Sequence, residues 1–126
     1  MKRENIKYRI KRARETYQDA LYLFEKGSIN SSVNRLYYSA YYGVMALLLD
    51  IGVNPTTHNG AKSNFSKYFI KTAEIPMEFG KIYFQLFTWR QKGDYDDLFD
   101  FDKSKVEPYF EPVKALIEII EKKILK

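Results

Sequence analysis

A chain of 126 residues with 45% apolar side chains can bury one hydrophobic core, and its 17% aromatic content, mostly Tyr and Phe, adds large rings with polar tips to that core. There is no cysteine, which excludes disulfides, a thiol nucleophile and zinc–thiolate sites and fits a reducing cytoplasm. The net charge of +5 is uneven: Lys2, Arg3, Lys7, Arg9, Lys11, Arg12 and Arg14 crowd the start, and Asp94, Asp96, Asp97, Asp100 and Asp102 crowd one later stretch. A basic end of this kind is either a solvated helix face or a surface for an anionic partner such as nucleic acid.

The pattern predicts one all-helical domain over residues 1–126, with no segment of strand alternation. A first helix is expected from Glu4 to Lys26, on the stripe Ile6, Ile10, Ala13, Tyr17, Ala20, Leu21 and Phe24. Its charged start lacks the apolar run of a signal peptide. Gly27 supplies the stop, and Ser28 is the expected N-cap of the second helix. That helix runs from Ile29 to Ile51 on an inner stripe of Ile29, Val33, Tyr37, Ala40, Val44, Leu47, Leu48 and Ile51. A second stripe, Tyr38, Tyr42, Met45 and Leu49 with Arg35 at its edge, lies on another face. A helix apolar on two faces must bury both, so the second stripe predicts a homodimer or partner interface. The longest strongly apolar run, Val44 to Leu49, is far too short to span a bilayer, and a soluble cytoplasmic protein is expected.

Gly52 ends the second helix, and a turn-rich loop leads through Thr57-His58-Asn59-Gly60 to a short helix, Ala61 to Thr72, anchored by Phe65, Tyr68 and Phe69. Pro76 fits the start of the next long helix, which frays near Gly93. An acidic turn over 94–102 carries Tyr95, Leu98, Phe99 and Phe101. The last helix follows Val106, Tyr109, Phe110, Val113, Leu116, Ile117, Ile120 and Ile124 to the end. Ser104 and Glu107 resemble a capping box, and Pro108 and Pro112 predict a late start or a kink. The sum is an antiparallel up-and-down four-helix bundle with an extra short helix between the second and third long helices.

Arg90 is the most informative residue. It falls inside the arc of Phe79, Ile82, Tyr83, Leu86 and Trp89, yet a guanidinium keeps its charge and is costly to bury unpaired. It therefore pairs structurally with Asp94, four residues on, or faces a functional cleft. Asn34 and Arg35 are polar within an apolar helix. They are either an exposed edge or part of a common anionic site with Arg90, flanked by Tyr37, Tyr38, Tyr41 and Tyr42 as base-stacking rings or simply as core. His58, the sole histidine, is read as a backbone-bonding cap at a helix start or as a general base or ligand. No Glu-x-x-His pair, Gly-rich phosphate loop or nucleophile elbow is present, so no metal or cofactor is expected.

The stretch Ser32-Val33-Asn34-Arg35-Leu36-Tyr37-Tyr38-Ser39-Ala40-Tyr41-Tyr42 resembles the second helix of the HEPN superfamily, helical domains named for nucleotide binding in higher eukaryotes and prokaryotes. Thr57-His58-Asn59-Gly60, the aromatics from Phe65 to Phe69, and Arg90 through Tyr95 as an Arg-x-x-small-Asp-Tyr element match in order and cover nearly the whole chain. The resemblance implies a four-helix bundle with one extra short helix, usually dimeric, similar to toxins or accessory partners of minimal nucleotidyltransferases in toxin–antitoxin pairs. Catalytic members are metal-independent ribonucleases in which an Arg is followed, four to six residues later, by a His. Arg90 matches that arginine, but Tyr95 and Asp96 stand where the histidine belongs and no His follows. His58 precedes Arg90 and is not the motif's histidine.

Three readings follow. The first is a non-enzymatic module that holds a nucleotide, RNA or a nucleotidyltransferase partner through Arg90, Asn34, Arg35, Asp94, Tyr95 and His58. The second is a ribonuclease toxin with altered residues, in which Arg90 binds phosphate and Asp94, Tyr95 or His58 moves the proton. The third is a purely structural interaction protein whose arginines are only ion-paired. The missing histidine and the two-faced second helix, with Tyr38, Tyr42, Met45 and Leu49 as its dimer patch, favour the first.

Overall fold

A computed structural model describes residues 1–95 and 100–124, apart from the side chains of Asp94 and Tyr95. In chain order the elements are α1 (Lys2–Glu25), α2 (Ile29–Asp50), α3 (His58–Phe65) continued by a π-turn (Ser66–Ile70), α4 (Met77–Tyr95), the short α5 (Lys103–Val106), a 3₁₀ turn (Glu107–Tyr109) and α6 (Phe110–Ile124). All regular structure among the described residues is helical. The long helices pack as a bundle in which α2 touches α1, α3, α4 and α6.

Two glycines set the turns at either end of α2. Gly27 and Gly52 take φ of 86° and 81°, a left-handed conformation open to glycine at no steric cost. Each lets the chain close a Schellman-type stop: Ser28 N–H donates to the Leu23 carbonyl, and Val53 N–H to the Leu48 carbonyl. Helix starts differ from the sequence expectation. Ser28 occupies the N-cap position of α2 but its side chain makes no capping bond. At α5 the cap is Asp102, whose carboxylate accepts from the Ser104 N–H and hydroxyl at 3.1 and 3.0 Å, in place of a Ser104–Glu107 box. The extended backbone of Asp102 places its carboxylate over the first turn, and Ser104 is already inside the helix. Pro108 sits in the 3₁₀ turn between α5 and α6, which is the interruption its missing N–H demands. Helix α4 runs past Gly93 to Tyr95, since Gly93 is a close-packing position: a Cβ there would lie 3.3 Å from Cε2 of Phe101.

The core runs the length of the bundle. Ile6, Ile10, Ala13, Tyr17, Ala20 and Phe24 of α1 meet Val33, Ala40, Val44, Leu47 and Leu48 of α2, and Val113, Leu116, Ile117 and Ile120 close the layer from α6. Helix α2 is buried over more than half of its circumference, with Leu36, Gly43, Met45 and Ala46 inside as well. Ile51, expected on the inner stripe, lies past the helix end and is 46% exposed. The buried hydroxyls on α2 are satisfied: Ser32 donates to the Ala20 carbonyl at 2.8 Å and Ser39 to the Leu36 carbonyl at 2.7 Å.

Tyr17 ties α1 to α6 by donating to the Phe110 carbonyl at 3.0 Å. Burial first, then the nearby carboxylates of Glu111 and Glu118, pushes its pKa up to about 12. Below the ordinary tyrosine value near 10 both states keep the proton; between about 10 and 12 the unfolded chain releases it more readily. Stability should therefore fall as pH rises through that window. Tyr17→Phe should cost about 1 kcal/mol at neutral pH and flatten part of the alkaline loss, read from denaturant midpoints across pH.

Candidate functional site

Tyr37 is the centre of the site. It lies on α2, 0% exposed, with its ring stacked on Tyr41 (5.8 Å between centroids) and Tyr83 (5.9 Å). Its hydroxyl is 2.7 Å from Nδ1 of His58. The Arg90 guanidinium carbon lies 5.3 Å from its ring centroid. Local helical spacing explains the arrangement. Tyr37 and Tyr41 are one turn apart on α2, and Tyr83, Phe87 and Arg90 follow one another down α4. His58 is the first residue of α3, fixed there by Thr57, whose Oγ1 accepts from Gly60 N–H at 2.9 Å. The cap role expected of His58 thus belongs to Thr57, and the imidazole turns inward to Tyr37. Its ring also packs on Tyr41 at 4.5 Å and edge-on to Tyr38 at 5.7 Å.

Arg90 is half-buried, with its Nε fully out of solvent. It lines an open cavity of about 210 Å³ together with Asn30, Ser31, Val33, Asn34, Trp89, Gly93 and Phe101. The sequence pair Asn34-Arg35 reaches this region as well. Asn34 lines the cavity, and its side-chain oxygen accepts from Nε and Nη2 of Arg35 at 3.1 and 2.8 Å. Arg35 in turn sits 5.0 Å over the Tyr38 ring. Asn34, Arg35, His58 and Arg90 therefore belong to one contiguous cluster. The side chains of Asp94 and Tyr95, and with them the expected Arg90–Asp94 ion pair, lie outside the described residues.

Sequence reasoning missed Asn30. Its Oδ1 accepts the Phe101 N–H at 2.9 Å and its Nδ2 donates to Asp100 at 3.1 Å, which anchors the segment after α4 against the start of α2 and forms one cavity wall. Only a lone Asn in a first helical turn hinted at this, and that residue type is common there.

The electrostatics of the cluster are one-sided. Burial raises the pKa of Tyr37, Tyr41 and Tyr83, and the nearby Arg90 offsets only part of the shift. All three hydroxyls stay protonated at neutral pH, so they offer donors and ring faces and no base. The Tyr83 hydroxyl is buried without a hydrogen bond of standard geometry, although Tyr37 lies close enough to act on it. Among the described residues no group of three His, Cys, Asp or Glu side chains converges as metal donors would.

The expected dimer patch is split. Met45 is 6% exposed and packs inside the protomer. Tyr42 lies under the guanidinium of Arg12 at 5.3 Å, and Arg9 donates to the Met45 carbonyl at 3.4 Å. Helix α1 thus covers part of the second stripe, while Tyr38, Tyr42 and Leu49 remain half-buried. No described helix is long and apolar enough to cross a membrane.

The two central hydroxyls should respond unequally to deletion. Tyr37→Phe strips a buried partner from His58 and should cost about 1–3 kcal/mol. Tyr83→Phe removes an unsatisfied hydroxyl and should change stability by less than about 0.5 kcal/mol. Chemical denaturation of both variants at neutral pH reads the difference.

A family model described as the HEPN domain matches residues 6–123. A Thermotoga maritima protein named "UPF0332 protein" is 37% identical over 98% of this chain and 93% of its own length. Two Methanocaldococcus jannaschii proteins, each named "Putative toxin", are 34% identical; one aligns with 78% of this chain and 67% of its own length, the other with 74% and 69%. The chain therefore belongs to the HEPN domain family, in keeping with its all-helical fold.

Proposed function

We propose that this protein is a non-catalytic HEPN module that holds a phosphate-bearing ligand, RNA or a nucleotide, at the Arg90 cavity. The observation that carries this reading is the state of Arg90. One flank lies over the Tyr37 ring, and the side chain lines a cavity whose other polar walls include Asn30, Ser31 and Asn34. A guanidinium beside an aromatic ring is a planar, permanently charged donor of the kind that phosphate oxygens accept from. Asparagine amides supply neutral donors and acceptors beside it. The described tyrosines around Arg90 hold their protons at neutral pH, which suits binding better than proton abstraction.

The same reading includes a nucleotidyltransferase partner of the toxin–antitoxin kind, supported by the family and by the names of the Methanocaldococcus relatives. It also includes a homodimer, for which Tyr38, Tyr42 and Leu49 retain surface and Met45 does not. Light scattering at micromolar concentration that returned only the 15.0 kDa of one chain would remove the dimer.

One observation favours a second reading, a metal-independent ribonuclease toxin. His58 and Arg90 converge on Tyr37 from different helices, so an imidazole and a guanidinium do come together without the sequence motif. Binding and cleavage of labelled RNA, measured together with chelator present, separate the two. On the binding reading, wild type binds without cutting and Arg90→Ala weakens binding about 10- to 100-fold. Cleavage lost in both Arg90→Ala and His58→Ala makes the protein a ribonuclease. Equal cleavage in wild type and both variants identifies a contaminant.

A further inference from the structure

A second opening, of about 520 Å³, lies between α1 and α2, away from the Arg90 cavity. Its walls come from two matching stripes. Tyr8, Arg9 and Arg12 follow helical spacing on α1, and Tyr41, Tyr42 and Met45 follow it on α2. None of the lining side chains is acidic. Arg12 lies over the Tyr42 ring, Arg9 is held by the Met45 carbonyl, and Tyr8 stands 60% exposed at the mouth. The opening is thus wide enough for a nucleobase, rimmed by aromatic faces and supplied with two cations.

Tyr41 joins this groove to the Arg90 cluster. One side of it lines the groove, and its ring packs 4.5 Å from His58 and 5.8 Å from Tyr37, over which Arg90 sits. Contacts run from Arg12 through Tyr42 and Tyr41 to His58 and to the buried Tyr37, over which Arg90 sits. Rings flanked by guanidinium groups are the chemistry that grips single-stranded nucleic acid: bases stack on the π-faces, and phosphates meet the cations.

We infer that the α1–α2 groove is a second subsite for single-stranded RNA, which takes the nucleotides that extend beyond the one held at Arg90. The inference rests on the RNA reading of the Arg90 cavity given above. A second copy of the chain is the poorer occupant, because a subunit interface there would bury two guanidinium groups where the groove offers no carboxylate. Among the described residues Arg12 pairs with Glu15, at 3.9 Å on the solvent side of α1.

The test compares a dinucleotide with a labelled oligouridylate of about eight nucleotides, binding to the full chain by anisotropy over a salt series. The variants are Arg12→Glu, the double variant Arg9→Gln/Arg12→Glu, and Tyr8→Ala, which removes an exposed ring and keeps the fold intact if Arg9 proves structural. The double variant should weaken the longer oligonucleotide about tenfold and lower its salt slope by about 1 to 2, with the dinucleotide unchanged. Tyr8→Ala should weaken the longer oligonucleotide alone, by several fold. Wild-type affinity for the longer oligonucleotide in all three variants, with Arg90→Ala still weakened, overturns the groove and leaves the Arg90 reading standing. No RNA binding by wild type overturns both. A changed mass in light scattering with unchanged RNA affinity makes the groove a subunit interface and overturns the inference.

Discussion

Helix α2 buries more than half of its circumference, and that requirement places the other helices. Its buried positions run from Val33 and Tyr37 to Met45 and Leu48. Burying each such side chain is worth on the order of 1.5–3 kcal/mol, so α1, α3, α4 and α6 must each cover part of it. Backbone and hydroxyl groups follow the same demand. Ser32 and Ser39 return their hydroxyls to carbonyls, and the glycines at 27 and 52 let the chain reverse at once and lay the next element back on α2.

The candidate site arises from that packing. Tyr37 is buried because α2 is buried, and its polar tip then needs a partner, which α3 supplies as His58. Its ring needs a neighbour on the α4 side, and Tyr83 and Arg90 supply a stacked ring and a cation. A lysine at position 90 would not serve equally, since an ammonium is a compact, strongly hydrated charge with no plane to lay on a ring. The packing links the two features: His58 satisfies the buried hydroxyl of Tyr37, and Arg90, over the same ring, lines the cavity.

Family membership sets this arrangement in context. The resemblance in sequence sets a histidine shortly after the arginine in ribonuclease members, and this chain carries Tyr95 and Asp96 at those positions. It keeps the arginine and embeds it in aromatic rings whose hydroxyls stay protonated. Those surroundings keep water from one flank of the guanidinium, and among the described residues of the cluster the imidazole of His58 is the side chain of general-base type.

Much of the fold was legible because it depends on local chemistry. The 3.6-residue stripes of Ile6 to Phe24 and Val106 to Ile124, the glycine stops and the proline interruption before α6 follow from side-chain spacing and backbone sterics, which act within a few residues. Arg90 announced itself as a charge on an apolar arc. The cap at Asp102, the inward turn of His58 and the wall built by Asn30 were not legible, because each depends on a partner that is not a sequence neighbour or on competition between nearby polar groups. The second stripe of α2 shows the limit most clearly: periodicity says that a face must be covered, but not whether the cover comes from the same chain. Sequence by itself determined the helices, their order and the family. Only the tertiary structure decided that Met45 is buried within the chain, that Arg12 of α1 lies over Tyr42 and that His58 and Arg90 meet at Tyr37, because contacts between distant segments depend on how whole helices pack and no local spacing records them.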